Sequence, residues 1–253
     1  MKKILLYVGI ALAAIGCAKD PDVAQSGDSV LTIASNINTR VENEQWEVSD
    51  KIGVYMTSST FGDLGANVLY TTVDGNGAFT ASATPLYYPS SGEVDIFAYY
   101  PWVDGVSLTA YPIDSEAQVD LLWATKSEVA SSSAAVVMSF NHLLSKVSLT
   151  IKEGDGLEKS DLAGLVVTLT DITTTADFNL EDPTASSLTN SDGELTLTTA
   201  EDGTSSSVIV IPQPLGGATL YFATKDYGTF SATLSTSEFE VGKEYKYTAT
   251  LNL

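Results

Sequence analysis

Hydrophobic and polar positions alternate with a period of two through short runs along most of the chain, and turn residues separate the runs. The run at 51–58 places Ile52, Val54 and Met56 on one face. The run at 93–100 does the same with Val94, Ile96 and Ala98, and Pro101 closes it because proline has no N–H to donate. Further strands are predicted at 29–36, 67–73, 78–82, 106–111 and 119–124. Asp74-Gly75-Asn76-Gly77 supplies the hairpin turn before 78. The stretch 127–135 is small and polar and reads as a loop. The pattern restarts at 136–140 and 146–151, then continues at 165–169, 195–199, 208–211, 218–223, 230–234 and 245–251. Only 157–162 has a helical pattern, and only as a short turn. The elements predict an all-β protein of sandwich type.

The stretch 28–56 organises this pattern. Val30, Leu31 and Ile33 make a short half-buried strand, a polar break at 36–45 carries Arg40, and Trp46 opens the next run. Arg40 is the only arginine in the chain. A cut after it would start a new chain at Val41 and free the first strand, leaving neighbours with an unpaired edge that templates an incoming strand. The plainer reading of Arg40 is one solvated charge in an ordinary loop.

The segment 1–16 reads as a leader: Lys2 and Lys3, an apolar run from Ile4 to Ile15, then small residues. That run is shorter than the roughly 20 residues a membrane-spanning helix needs. Cys17, the only cysteine, follows directly, so no intramolecular disulfide can form. Ala14-Ile15-Gly16-Cys17 resembles the lipobox of bacterial lipoproteins, in which the cysteine becomes the lipid-modified first residue. The polar segment 17–28 reads as a flexible tether.

Composition adds one constraint. The formal net charge is −20, and loss of Lys2 and Lys3 takes it to −22. Such a chain is repelled by nucleic acid and by anionic lipid, so nucleic acid is not an expected partner. Catalytic and metal motifs do not emerge, so no cofactor is expected. His142 is the only histidine and reads as structural. No G-x-S-x-G element accompanies it, and the carboxylates are spread through turns. Asp74-Gly75-Asn76-Gly77 lacks the spacing of a calcium loop. Tyr87, Tyr88, Tyr99, Tyr100, Trp102 and Trp123 raise the alternative of a surface glycan-binding lipoprotein that does not polymerise, against packing of the same rings in the core.

Five strings in order resemble the fimbrillin family of lipoprotein pilins, the FimA/Mfa-like or type V pilins. They are Thr39-Arg40 with Trp46 and Asp50-Lys51-Ile52-Gly53-Val54-Tyr55; Val94-Asp95-Ile96-Phe97-Ala98-Tyr99-Tyr100-Pro101-Trp102; Phe140-Asn141-His142-Leu143-Leu144-Ser145-Lys146-Val147; Ile211-Pro212-Gln213; and Gly242-Lys243-Glu244-Tyr245-Lys246-Tyr247-Thr248. Ser49 departs from the glycine common in that family before the aspartate. The resemblance implies two tandem transthyretin-like β-sandwich domains, placed here at 29–138 and 139–253. It implies an outer-membrane lipoprotein acylated at Cys17 and cut between Arg40 and Val41. The partners it implies are other pilin subunits joined by donor-strand exchange, the membrane through the lipid anchor before processing, and a host or bacterial surface ligand in adhesion. At 245–251, Tyr245, Tyr247, Ala249 and Leu251 share one face, which predicts a strand docked in its own domain. A subunit of this kind is expected to accept a strand and to donate poorly, as a tip or accessory subunit does.

Overall fold

The computed structural model describes residues 29–38, 45–183, 186–188 and 192–253. Alternating apolar positions produce nineteen strands among these residues, with two short 3-10 turns and no α-helix. The first group is β1 (Ile33–Asn38), β2 (Lys51–Ser58), β3 (Gly62–Thr72), β4 (Ala78–Ala81), β5 (Glu93–Tyr100), β6 (Tyr111–Asp114), β7 (Leu122–Ala130) and β8 (Val136–His142). The second is β9 (Ser145–Glu153), β10 (Val166–Ile172), β11 (Thr175–Phe178), β12 (Ser186–Leu188), β13 (Gly193–Thr199), β14 (Ser205–Val210), β15 (Gln213–Pro214), β16 (Thr219–Thr224), β17 (Gly228–Thr233), β18 (Glu238–Phe239) and β19 (Glu244–Leu251).

The first sheet closes on itself in the order β1-β4-β3-β2-β5-β7-β8. This is a barrel, where two separate stacked sheets were expected. Closure is the work of β1, which pairs antiparallel with β4 and parallel with β8. The second sheet runs β17-β16-β10-β13-β14-β9-β19 and stays open. Its central pair, β13 and β14, registers at Thr198↔Ser207 and Thr199↔Ser206 only, so the sheet bends there and wraps one core.

The two sheets share one connectivity. Taken in chain order, β9, β10, β13, β14, β16, β17 and β19 occupy the places of β1, β2, β3, β4, β5, β7 and β8. Every pairing present in both has the same sense, including the parallel contact of first strand with last. The difference is the seam between the last two strands. In the barrel β7 and β8 pair at Leu122↔His142 and Trp123↔Asn141, and in the second sheet β17 and β19 do not pair.

Three of the smaller strands tie the halves together. β6 pairs with β11, from Tyr111↔Phe178 to Asp114↔Thr175, and β12 extends that sheet. Beneath it Tyr99, Tyr111, Leu121, Leu144, Phe178 and Ile211 form a buried cluster shared by both halves. Gln118 adds a polar clasp: its amide donates to the Ile209 carbonyl, and its side-chain oxygen accepts the Ile209 N–H at 2.8 Å.

Several boundaries differ from the pattern. The strand expected at 106–111 is displaced to β6, and β7 runs through part of the expected loop at 127–135. Both faces of that extension are largely exposed, so no alternation marks it. It is held by pairing to β5 and by the Glu128 N–H donating to the Asp95 carboxylate. The break between the two sheets falls after β8, so position 138/139 lies inside a strand of the barrel.

Candidate functional site: the seat of the first strand

Leu31, two residues before β1, and Ile33, Ser35 and Ile37 on it alternate inward. Leu31 and Ile33 are fully buried, at 0% and 1% exposure, and Ile37 packs at the rim of the same core. Their neighbours Asn36 and Asn38 face outward. Burial of Leu31 and Ile33 contributes roughly 1.5–3 kcal/mol each.

Main-chain bonds reach both walls of the seat. Leu31 N–H donates to Leu86 O at 2.8 Å, Tyr88 N–H to Ser29 O at 3.1 Å, and Ser35 N–H to Gly77 O at 2.8 Å. On the parallel side Val136 N–H donates to Thr32 O at 2.9 Å, and the register runs from Ile33↔Val136 to Asn38↔Asn141. Side chains reinforce that edge: Asn38 donates to Asn141 at 2.9 Å, and Ser139 to Asn36 at 3.1 Å. Such outward polar pairs add selectivity of register at little cost, because they stay hydrated.

The turn at Asp74-Gly75-Asn76-Gly77 joins β3 to β4 and also shapes the seat. A Cβ on Gly77 would stand 2.3 Å from the Ser35 carbonyl oxygen, and the backbone there has φ +83°. Only glycine permits both the turn and the close passage of β1. Tyr70 lies below the strand and is fully buried. Its hydroxyl donates to Leu31 O at 3.2 Å and accepts from Leu86 N–H. Burial pushes its pKa up to about 12, with the Leu86 backbone bond opposing and Tyr88 adding to the rise.

Trp46 packs where the described chain resumes. It makes edge contacts with Phe79, Tyr100 and Phe140 at 4.9, 5.5 and 5.1 Å between ring centroids. A cavity of about 100 Å³ lies between it and the end of β1, lined by Ile37, Asp50, Tyr100 and Asp120 among others. Tyr100 faces Asp50 there. Burial first, and then the nearby carboxylates, push its pKa up to about 12.

Cys17, Arg40 and Val41 lie outside the described residues. His142 is buried at the end of β8, with its Nδ1 against the Asp120 carboxylate. The carboxylate partner was not visible in the sequence, where Asp120 is one acid among many. The six aromatic residues weighed as a glycan platform do not form one exposed face. Tyr88 and Tyr99 are buried and Tyr100 meets Trp46 edge-on. The indoles of Trp102 and Trp123 donate to the Asn67 and Leu180 carbonyls.

Residues 39–253 match the model of the fimbrillin-like family. The chain belongs to that family. A Bacteroides uniformis relative named "putative fimbrium subunit Fim1C" is 30% identical over 282 aligned residues, covering 100% of this chain and 91% of the relative. A crystal structure described as a "putative cell adhesion protein" from Bacteroides uniformis superposes with TM-score 0.77. It is 27% identical and covers 89% of this chain and 93% of its own. A second of that description, from Bacteroides ovatus, superposes with TM-score 0.73 at 22% identity, over 88% of this chain and 92% of its own. Membership in that family makes the chain one of a family of fimbrial subunits. The fimbrillin-like match begins just after β1 ends at Asn38, so the strand that closes the barrel lies outside the matched region.

Proposed function

We propose that this protein is a fimbrial subunit whose barrel surrenders β1 and accepts a strand from another subunit in its place. One observation carries the reading: β1 closes the barrel through both edges, Leu31 just ahead of it and Ile33 at its start are wholly buried, and it stands immediately before the chain's only arginine. While β1 is tethered, its effective concentration at the seat is of millimolar order. A cut between Arg40 and Val41 turns it into a free ligand that can leave. A strand of the same alternation then recovers the main-chain bonds and refills the two pockets.

In this reading the subunit is exported to the outer membrane as a lipoprotein acylated at Cys17, and β1 leaves with the lipid anchor. The shared strand connectivity supports two tandem transthyretin-like domains, divided between β8 and β9. The β19 pairing with β9 over eight positions supports a subunit that accepts a strand more readily than it donates its last one.

N-terminal sequencing of surface-extracted protein tests the scheme. A mature chain beginning at Val41 is expected, with full-length lipid-labelled chain accumulating in Arg40→Gln and the label lost in Cys17→Ser. Fimbriae that assemble normally from Arg40→Gln subunits overturn it.

A further inference from the structure

The outer face of the β17-β16-β10-β13 layer differs from the rest of this acidic molecule. One row of outward residues crosses all four strands in register: Ser231, Tyr221, Thr168 and Thr196. Their four hydroxyl groups have no hydrogen-bond partner among the described residues. Tyr221 is 41% exposed and sits in the middle of the layer. The rows on either side are threonine and alanine, apart from Val166 and Glu194. In a chain of formal charge −20, this is a flat field of hydroxyls and methyls around one exposed ring.

We infer that this face binds a neutral polysaccharide. Free hydroxyls in a row exchange hydrogen bonds with sugar hydroxyls, and the tyrosine ring offers an apolar body with a polar tip. The acids Glu194 and Asp171 stand at one end of the face, where they repel an anionic chain. A second copy of the protein is a poor occupant. Four strands about 4.8 Å apart, with three same-face positions about 7 Å apart, give a field of about 300 Å². A stable protein interface takes about 800 Å² from each partner. A polysaccharide needs no such area, because a few of its sugar units cover a field of this size and small ligands do not bind in proportion to area. None of these residues registers with β1, so the inference does not depend on strand exchange.

The test is affinity electrophoresis of the intact chain in native gels containing hydroxyethylcellulose, galactomannan or dextran, with polygalacturonate as the anionic comparison. Retardation is expected in at least one neutral gel and not in polygalacturonate. Tyr221→Ala and Thr168→Glu should each weaken retardation by about tenfold or more. Both positions face away from the core, and a thermal midpoint equal to the parent's confirms folding of each variant. Should Thr168→Glu fail to fold, the exposed Tyr221→Ala alone decides. Free migration of the parent in all three neutral gels overturns the inference. So does unchanged retardation in Tyr221→Ala, and so does sedimentation of the parent as a dimer that Tyr221→Ala dissociates.

Discussion

At the scale of single residues, the seat of β1 depends on groups that look unimportant in the sequence. Gly77 reads as one of two glycines in a hairpin turn, yet the Ser35 carbonyl passes where its side chain would be. Gly77→Ala should cost at least about 2 kcal/mol, from left-handed strain together with displacement of β1. Gly105 separates the two effects: it has φ +67° and open space around it, so Gly105→Ala should show the strain alone. Urea unfolding of both variants measures the difference. Tyr70 reports on the same contact through its proton. An unfolded tyrosine loses that proton near pH 10, whereas burial holds Tyr70 protonated up to about 12. Between those values the unfolded chain has released a proton that the folded chain retains, so stability falls as pH rises. Tyr100 and Tyr111, also raised to about 12, steepen the fall. Tyr70→Phe should flatten the decline in thermal midpoint across this window. It should also cost about 1 kcal/mol at neutral pH through the lost bond to Leu31 O.

At the scale of elements, legibility in the sequence followed how each strand meets the core. β2 and β5 each carry one uniformly aliphatic face, so alternation marked both, although Tyr55 and Tyr99 on their other faces are buried too, in the cluster between the halves. The first strand was visible from Leu31 and Ile33, and its need for two paired edges was not, because the fourth strand and the parallel last strand are distant in sequence. β6 and β11 were missed or misplaced for a related reason. They are four residues each, too short for a period to show, and they exist because the halves press them together. Arg40 and Cys17 were singled out by uniqueness and spacing, signals of composition that need no fold. The Tyr221 face escaped notice because threonine reads only as strand-forming until the register lines up four strands. The element-scale prediction concerns β1. After cleavage of the intact chain at Arg40, a peptide of residues 29–38 should compete for the vacated seat. Leu31→Ala or Ile33→Ala in that peptide should weaken it by about 2–5 kcal/mol, the usual cost of truncating a buried aliphatic side chain. Titration calorimetry reads the difference, and equal affinity of all three peptides would place the binding energy elsewhere than in these pockets.

At the scale of the whole molecule, the two halves repeat one connectivity but are not independent. The barrel closes around its own core, and the second sheet wraps another. Between them lies a third, which neither half can bury alone. Phe178 makes the point: it is 1% exposed, sits on a strand of the second half, and registers opposite Tyr111 of the first. Separating the halves would expose it with Tyr111, Leu121, Leu144 and Ile211, and would strip Gln118 of its bonds to Ile209. Apolar burial of that extent makes the halves melt together, since opening one uncovers the other's share of the cluster. A single calorimetric transition is therefore expected for the intact chain. Phe178→Ala should lower its stability by about 3–5 kcal/mol and resolve the transition into two, as the halves lose their common cluster. Gln118→Ala should act in the same direction by a smaller amount, because the Ile209 N–H and carbonyl lose their partner. Strand exchange gives this coupling a consequence. Loss of β1 opens the barrel at the edge formed by β4 and β8, while the shared cluster draws on β5, β6 and β7-adjacent residues that keep their own pairings. A chain cut at Arg40 should thus retain the β6-β11 sheet, and the hydrogen-exchange protection of Ile113 and Ala176 should survive cleavage while that of Val136 falls.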